Sequence, residues 1–165
     1  MRQRLALVVL LLGTATAFAD EPVGCDKFKW PVDLERAALS TAGQQKVAIG
    51  ADITTVAAVS LSLKPLAEAG LPKPPERAPK DGTFAAFVRI PNVDAGPFTV
   101  SLSEPGWIDV VQNGAYLKPK GFSGVSGCEG LHKVMKFDLA TGPVTVQVSG
   151  VAKDAVNLVI LPAAN

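Results

Sequence analysis

The chain has 165 residues, 16 basic and 15 acidic side chains, a single histidine and two cysteines. The near balance of charge gives no general basis for binding nucleic acid or an anionic membrane, so electrostatic recognition has to be local. A lone histidine also excludes any multi-histidine metal centre assembled within one chain.

Arg2 and Arg4 precede the apolar run Leu5 to Leu12, which leads through small residues to Ala17-Phe18-Ala19. A basic start, a short apolar core and an A-x-A site describe a secretory signal peptide over residues 1–19. The run is too short to span a hydrocarbon core of about 30 Å, and no second stretch approaches that length, so no membrane insertion is expected. Cys25 follows Glu21-Pro22-Val23-Gly24 and lacks a lipoprotein box. The expected location is therefore periplasmic or secreted. Cleavage leaves 165 − 19 = 146 residues, which suits one domain over 20–165, and 14 basic against 15 acidic groups, since the leader holds two arginines and no acid.

An oxidising compartment and an even count favour a disulfide between Cys25 and Cys128. The competing reading joins Cys25, Cys128 and His132 as a metal or redox set, with "CEGLH" supplying a Cys-x3-His spacing. Haem attachment needs C-x-x-C-H, which is absent.

Within "KFKWPVDLERAALSTAG", Asp33 is placed to cap one short helix through Ser40, with Gly43 just beyond. "QQKVAIGADI" alternates Val47, Ile49, Ala51 and Ile53 as a half-buried strand does, and "VAAVSLSLKP" alternates Val59, Leu61 and Leu63 with serines. Five of the thirteen prolines fall between Lys64 and Gly82, around "LPKPPERAPKDG". Proline removes ladder donors and favours extended backbone, so 64–82 reads as a long loop inside the domain.

From Thr83 the chain reads as strands alone: "FAAFVRIP", "PFTVSLS", "WIDVVQ", "AYLKP", "LHKVMKFDL", "VTVQVSG" and "AVNLVILP". Short strands separated by regular turn signals point to an all-β fold, a two-sheet antiparallel sandwich of jelly-roll type with one short N-terminal helix. There is an internal echo. "FVRIPNVDAGPFTVSLSEPGWIDVV" lines up with "MKFDLATGPVTVQVSGVAKDAVNLVI", anchored by Gly96 and Gly142, a pattern expected of equivalent strands in a pseudo-symmetric sandwich.

"GWIDVVQNGAYLKPK" carries the chief candidate site. Asn113-Gly114 suits a two-residue type I′ hairpin, which needs positive φ at both positions. Alternation then sends Ile108, Val110, Ala115 and Leu117 inward, and Trp107, Asp109, Val111, Tyr116, Lys118 and Lys120 outward. Two accounts of the outer face compete. One is structural, with an Asp109–Lys118 ion pair and Lys120 over Trp107. The other is a binding face of Trp107, Asp109, Tyr116, Lys118 and Lys120, two rings flanked by ammonium groups, for a protein, a glycan or a small anionic ligand. In "LHKVMKFDL", Met135, Phe137 and Leu139 share an inward phase with Leu131, and His132 points to water.

Two resemblances extend this. "FDLATGPVTVQVSG" followed by "AVNLVI" resembles bacterial pre-peptidase C-terminal-type domains, which implies a secreted jelly-roll sandwich for the last 80 or so residues. Through "KWP", "WIDVVQ" and a C-x-G before a basic strand, the chain also resembles small secreted proteobacterial proteins sometimes labelled homogentisate 1,2-dioxygenase. That label implies ferrous iron held by two histidines and a carboxylate, and His132 is the only histidine.

No G-x-S-x-G elbow or phosphate loop is present; Ser123 or Ser126 with His132, and pairs among Asp109, Glu129 and Asp138, have no motif behind them. The expectation is a non-catalytic, cofactor-free binding or accessory protein. The alternatives are a metal-dependent enzyme and a structural subunit of an envelope complex.

Overall fold

The computed structural model describes residues 21–40, 44–55 and 58–163. Residues 1–19, read above as a signal peptide, and Gly43 lie outside the described residues. The strands, in chain order, are β1 (Gln45–Val47), β2 (Ala58–Ser62), β3 (Lys64–Pro65), β4 (Phe84–Val93), β5 (Gly96–Leu102), β6 (Trp107–Gln112), β7 (Ala115–Tyr116), β8 (Gly121–Gly124), β9 (Lys133–Leu139), β10 (Gly142–Val151) and β11 (Ala155–Pro162). One sheet runs β1-β2-β11-β5-β9-β8, and the other runs β3-β4-β10-β6-β7. Every pairing is antiparallel except β1 with β2. This is the expected all-β sandwich.

The echo has a structural meaning. β10 lies between β4 and β6, and β5 lies between β9 and β11. Each copy, β4–β5–β6 and β9–β10–β11, thus gives its middle strand to the other copy's sheet. The two anchors occupy equivalent register positions, with Gly96 opposite Leu139 and Gly142 opposite Val93. Inward residues of both sheets, among them Leu61, Ile90, Leu102, Ile108, Phe137, Leu158 and Ile160, form the central core. Burying a side chain of this size contributes roughly 1.5–3 kcal/mol.

Both outer faces are also covered. Over the six-stranded sheet lies the N-terminal segment with helix α1 (Asp33–Ser40). A second apolar cluster of Phe28, Val32, Leu39, Val125, Leu131, Val134, Val159 and Leu161 forms beneath it. The Cys25–Cys128 disulfide fastens this segment across 103 residues. The segment expected as a loop over 64–82 begins as edge strand β3 and a 3-10 turn at Leu66–Glu68, and its Pro-rich part around 73–76 lies over the five-stranded sheet, hydrogen-bonded to side chains of β6, β7 and β10.

Four local expectations change. The Arg36 N–H donates to Val32 O, so Val32 holds the cap position and Asp33, the expected cap, stands in the first helical turn. The strand read through Ile53 stops at Val47, because Gly50 turns the chain at φ 74°. Beyond it, Ile53 and Ala51 bond the backbone of Arg89. Leu131 joins Val134 in the outer cluster rather than sharing the inward phase of Met135 and Phe137. His132 is correspondingly not solvated. Its side chain is 15% exposed and its Nε2 lies 3.4 Å from Glu21 Oε1.

Candidate functional site

The hairpin forms in the expected register. Asn113 and Gly114 adopt φ of 52° and 75°, and Val111 and Gln112 pair with Tyr116 and Ala115. Ile108 and Val110 enter the core, and Leu117 packs against it. On the opposite side, Trp107, Asp109 and Tyr116 meet the protein's own Pro-rich segment instead of open solvent.

That segment is fixed by side-chain hydrogen bonds. Gln147, on β10 and fully buried, accepts from Lys73 N at 2.9 Å and donates to Lys73 O at 3.0 Å. Asp109, only 4% exposed, accepts from Trp107 Nε1 at 2.7 Å and from Glu76 N at 3.3 Å. The Tyr116 hydroxyl donates to Pro74 O, and Lys73 Nζ donates to Gly114 O at 2.8 Å. Two backbone N–H groups of the segment, those of Lys73 and Glu76, are thus met by the Gln147 and Asp109 side chains. Burial pushes the Asp109 carboxyl above its usual range, against the opposing pull of the Trp107 and Glu76 N–H groups.

The two expected contacts of Asp109 and Trp107 are replaced. No Asp109–Lys118 ion pair forms, because β7 ends at Tyr116 and the carboxylate serves Trp107 and Glu76 instead. Lys118 makes no ion pair among the described residues. Lys120 does not cover Trp107. Its N–H already bonds Lys136 O in the other sheet, and its ammonium pairs with Asp138 at 3.1 Å. Of the five expected residues, Trp107, Asp109 and Tyr116 are therefore gathered under the Pro-rich segment, while Lys118 and Lys120 depart with the chain.

Other cations take their place. The Arg77 guanidinium lies 5.4 Å from the Trp107 ring centroid and the Lys133 ammonium 5.7 Å. Together with Lys80, Pro79, Pro105, Gly106 and Gly150 they line a cleft of about 290 Å³. No acidic side chain lines this cleft. Among the described residues, none of Arg77, Lys80 and Lys133 forms an ion pair. Lys133 leaves β9 at its first residue, lies between the Trp107 and Phe122 rings, and donates to Gly106 O. Burial pulls its pKa below 10.5. Glycine is required at 106, where an added Cβ would stand 2.8 Å from Val151 Cγ2.

Sequence reading missed Arg77, Lys80 and Lys133. The first two sit in a segment whose placement local pattern does not set. Lys133 carried a signal, as the one residue that breaks the inward phase of its strand. The thiolate set of Cys25, Cys128 and His132 is ruled out, because the two sulfurs are bonded to each other. Among the described residues, no three His, Cys, Asp or Glu side chains are grouped to hold a metal ion. Compared with family models, curated proteins and solved structures, the chain matches none.

Proposed function

We propose that this is a periplasmic or secreted, non-catalytic binding protein that takes an anionic group into the Trp107 cleft. The shared chemistry is a phosphate, sulfate or carboxylate met by Arg77, Lys80 and Lys133. The observation that carries the reading is the convergence of three unpaired cations on one small cleft that no carboxylate enters. Like charges gathered from two distant segments repel each other, and a bound anion relieves that repulsion while gaining charge-assisted hydrogen bonds. Trp107 serves as the plate that holds Arg77 and Lys133 in place, itself fixed through its N–H by Asp109. No serine, cysteine, histidine or carboxylate lines the cleft, so no conventional nucleophile–base pair stands beside the bound group. The leader-like residues 1–19 and a disulfide that closes a long loop support export.

Calorimetric titration with inorganic phosphate, sulfate and citrate tests this, comparing the wild type with Lys133→Met. Saturable binding of at least one anion, weakened by the substitution, is the expected outcome. Heats no larger than dilution for all three would remove the proposal.

A further inference from the structure

We infer that a second site, independent of the Trp107 cleft, lies on the opposite outer face and receives a single neutral pyranose ring. The groove between α1 and the six-stranded sheet holds about 390 Å³ and is lined by Trp30, Asp33, Glu35, Thr99 and Lys136, with Pro31, Leu34 and Pro162. Such a volume falls within the range of small-ligand sites, roughly 300–1,000 Å³.

Its polar groups are placed by three separate parts of the fold. Thr99 and Lys136 are register partners on β5 and β9, so they stand side by side on the outer surface of the sheet. Glu35 comes from α1 above them and is 7% exposed, and its Oε1 accepts from Thr99 Oγ1 at 2.8 Å. Its Oε2 receives no hydrogen bond from any described residue. Lys136 Nζ lies 4.6 Å from the Trp30 ring centroid and forms no ion pair among the described residues. Gly121, opposite Lys136 on β8, leaves room for the indole, whose atoms come within 3.4 Å of where a Cβ would be.

The groove thus presents the acidic acceptors Glu35 and Asp33, one cationic donor and apolar walls. An anion entering it meets Glu35 and Asp33, and a cation meets Lys136. A neutral polyhydroxylated ring avoids both conflicts. It offers hydroxyl donors to the free Glu35 oxygen, hydroxyl acceptors to Lys136, and its C–H faces to Trp30 and the prolines.

Saturation-transfer NMR on the mature chain tests this with the methyl glycosides of glucose, galactose, mannose and N-acetylglucosamine. The proposal expects transfer to at least one of them, with affinity about tenfold or more weaker in Glu35→Gln and in Lys136→Met, both checked for folding by circular dichroism. The Lys136→Met variant alters a partly exposed side chain and keeps the test available if Glu35→Gln fails to fold. Saturating phosphate, directed at the Trp107 cleft, should leave the sugar signal unchanged. Absence of transfer to all four glycosides would overturn the proposal, as would signals indifferent to both substitutions.

Discussion

Asp109 and Trp107, two residues apart on β6, share a hydrogen bond of 2.7 Å from the indole N–H to a carboxylate that is almost wholly buried. The second oxygen of the same carboxylate reaches Glu76 N in the Pro-rich segment. One side chain therefore orients the ring at the centre of the cleft and holds down the strand of chain that supplies Arg77 and Lys80.

Asp109→Ala leaves two inward N–H groups without an acceptor, each costing roughly 1–3 kcal/mol. The variant should unfold at lower urea, and amide hydrogen exchange at 73–77 should quicken more than in β9 or β11. Faster exchange spread evenly over the molecule would argue against a local fastening.

Reduction of Cys25–Cys128, or Cys25→Ser with Cys128→Ser, releases a loop of 103 residues. The chain-entropy limit for such a loop is about 4.7 kcal/mol. The loss should appear as a lower thermal midpoint together with exposure of Phe28, Val32 and Leu39, read as increased dye binding. Unchanged stability on reduction would show that the outer cluster holds without its crosslink.

His132 gives the protein an acid-sensitive element. Burial outweighs the nearby Glu21 and keeps its folded pKa below the ordinary 6.5. As pH falls through about 6.5, the unfolded chain takes up a proton that the folded chain resists, so stability declines across that window and is whole above it. Asp109 acts in the opposite sense at lower pH, its raised pKa returning stability as pH falls towards 3.8. Urea midpoints for wild type should therefore fall between neutral and mildly acidic pH, and His132→Gln should flatten this decline.

The proposed anion site should be alkali-sensitive through Lys133. Its ammonium deprotonates below the ordinary 10.5 because it is buried between two rings. Affinity should start to fall at a pH below that of an exposed lysine, and Lys133→Arg, which stays charged, should move the decline to higher pH. An identical profile in the two proteins would place the titration elsewhere.

What the sequence disclosed followed from local rules. Asn113-Gly114 specifies its turn by backbone sterics, and alternation around it assigned Ile108 and Val110 inward. Two cysteines in one chain have one possible partner each. Gly96 and Gly142 marked an echo whose strands prove to be exchanged between sheets. What stayed hidden depends on contacts distant in sequence. Lys73 meets Gln147 and Glu35 meets Thr99 only after the sandwich has closed. Lys118 and Lys120 were assigned to the hairpin by extending alternation past Tyr116, but Pro119 interrupts the ladder and the chain crosses to β8 there. The outer face of the hairpin looked open because nothing in its own residues reports a covering segment.

The central claim, that cations from the Pro-rich segment and from β9 form one anion site around Trp107, is tested most directly by amide and indole NMR during titration with the anion that binds best. Shifts should concentrate at Trp107 Nε1–H and at the backbone of Arg77, Lys80, Gly106 and Lys133, saturating together at one affinity. Shifts centred on Trp30 and α1, or scattered over the surface without saturation, would contradict it.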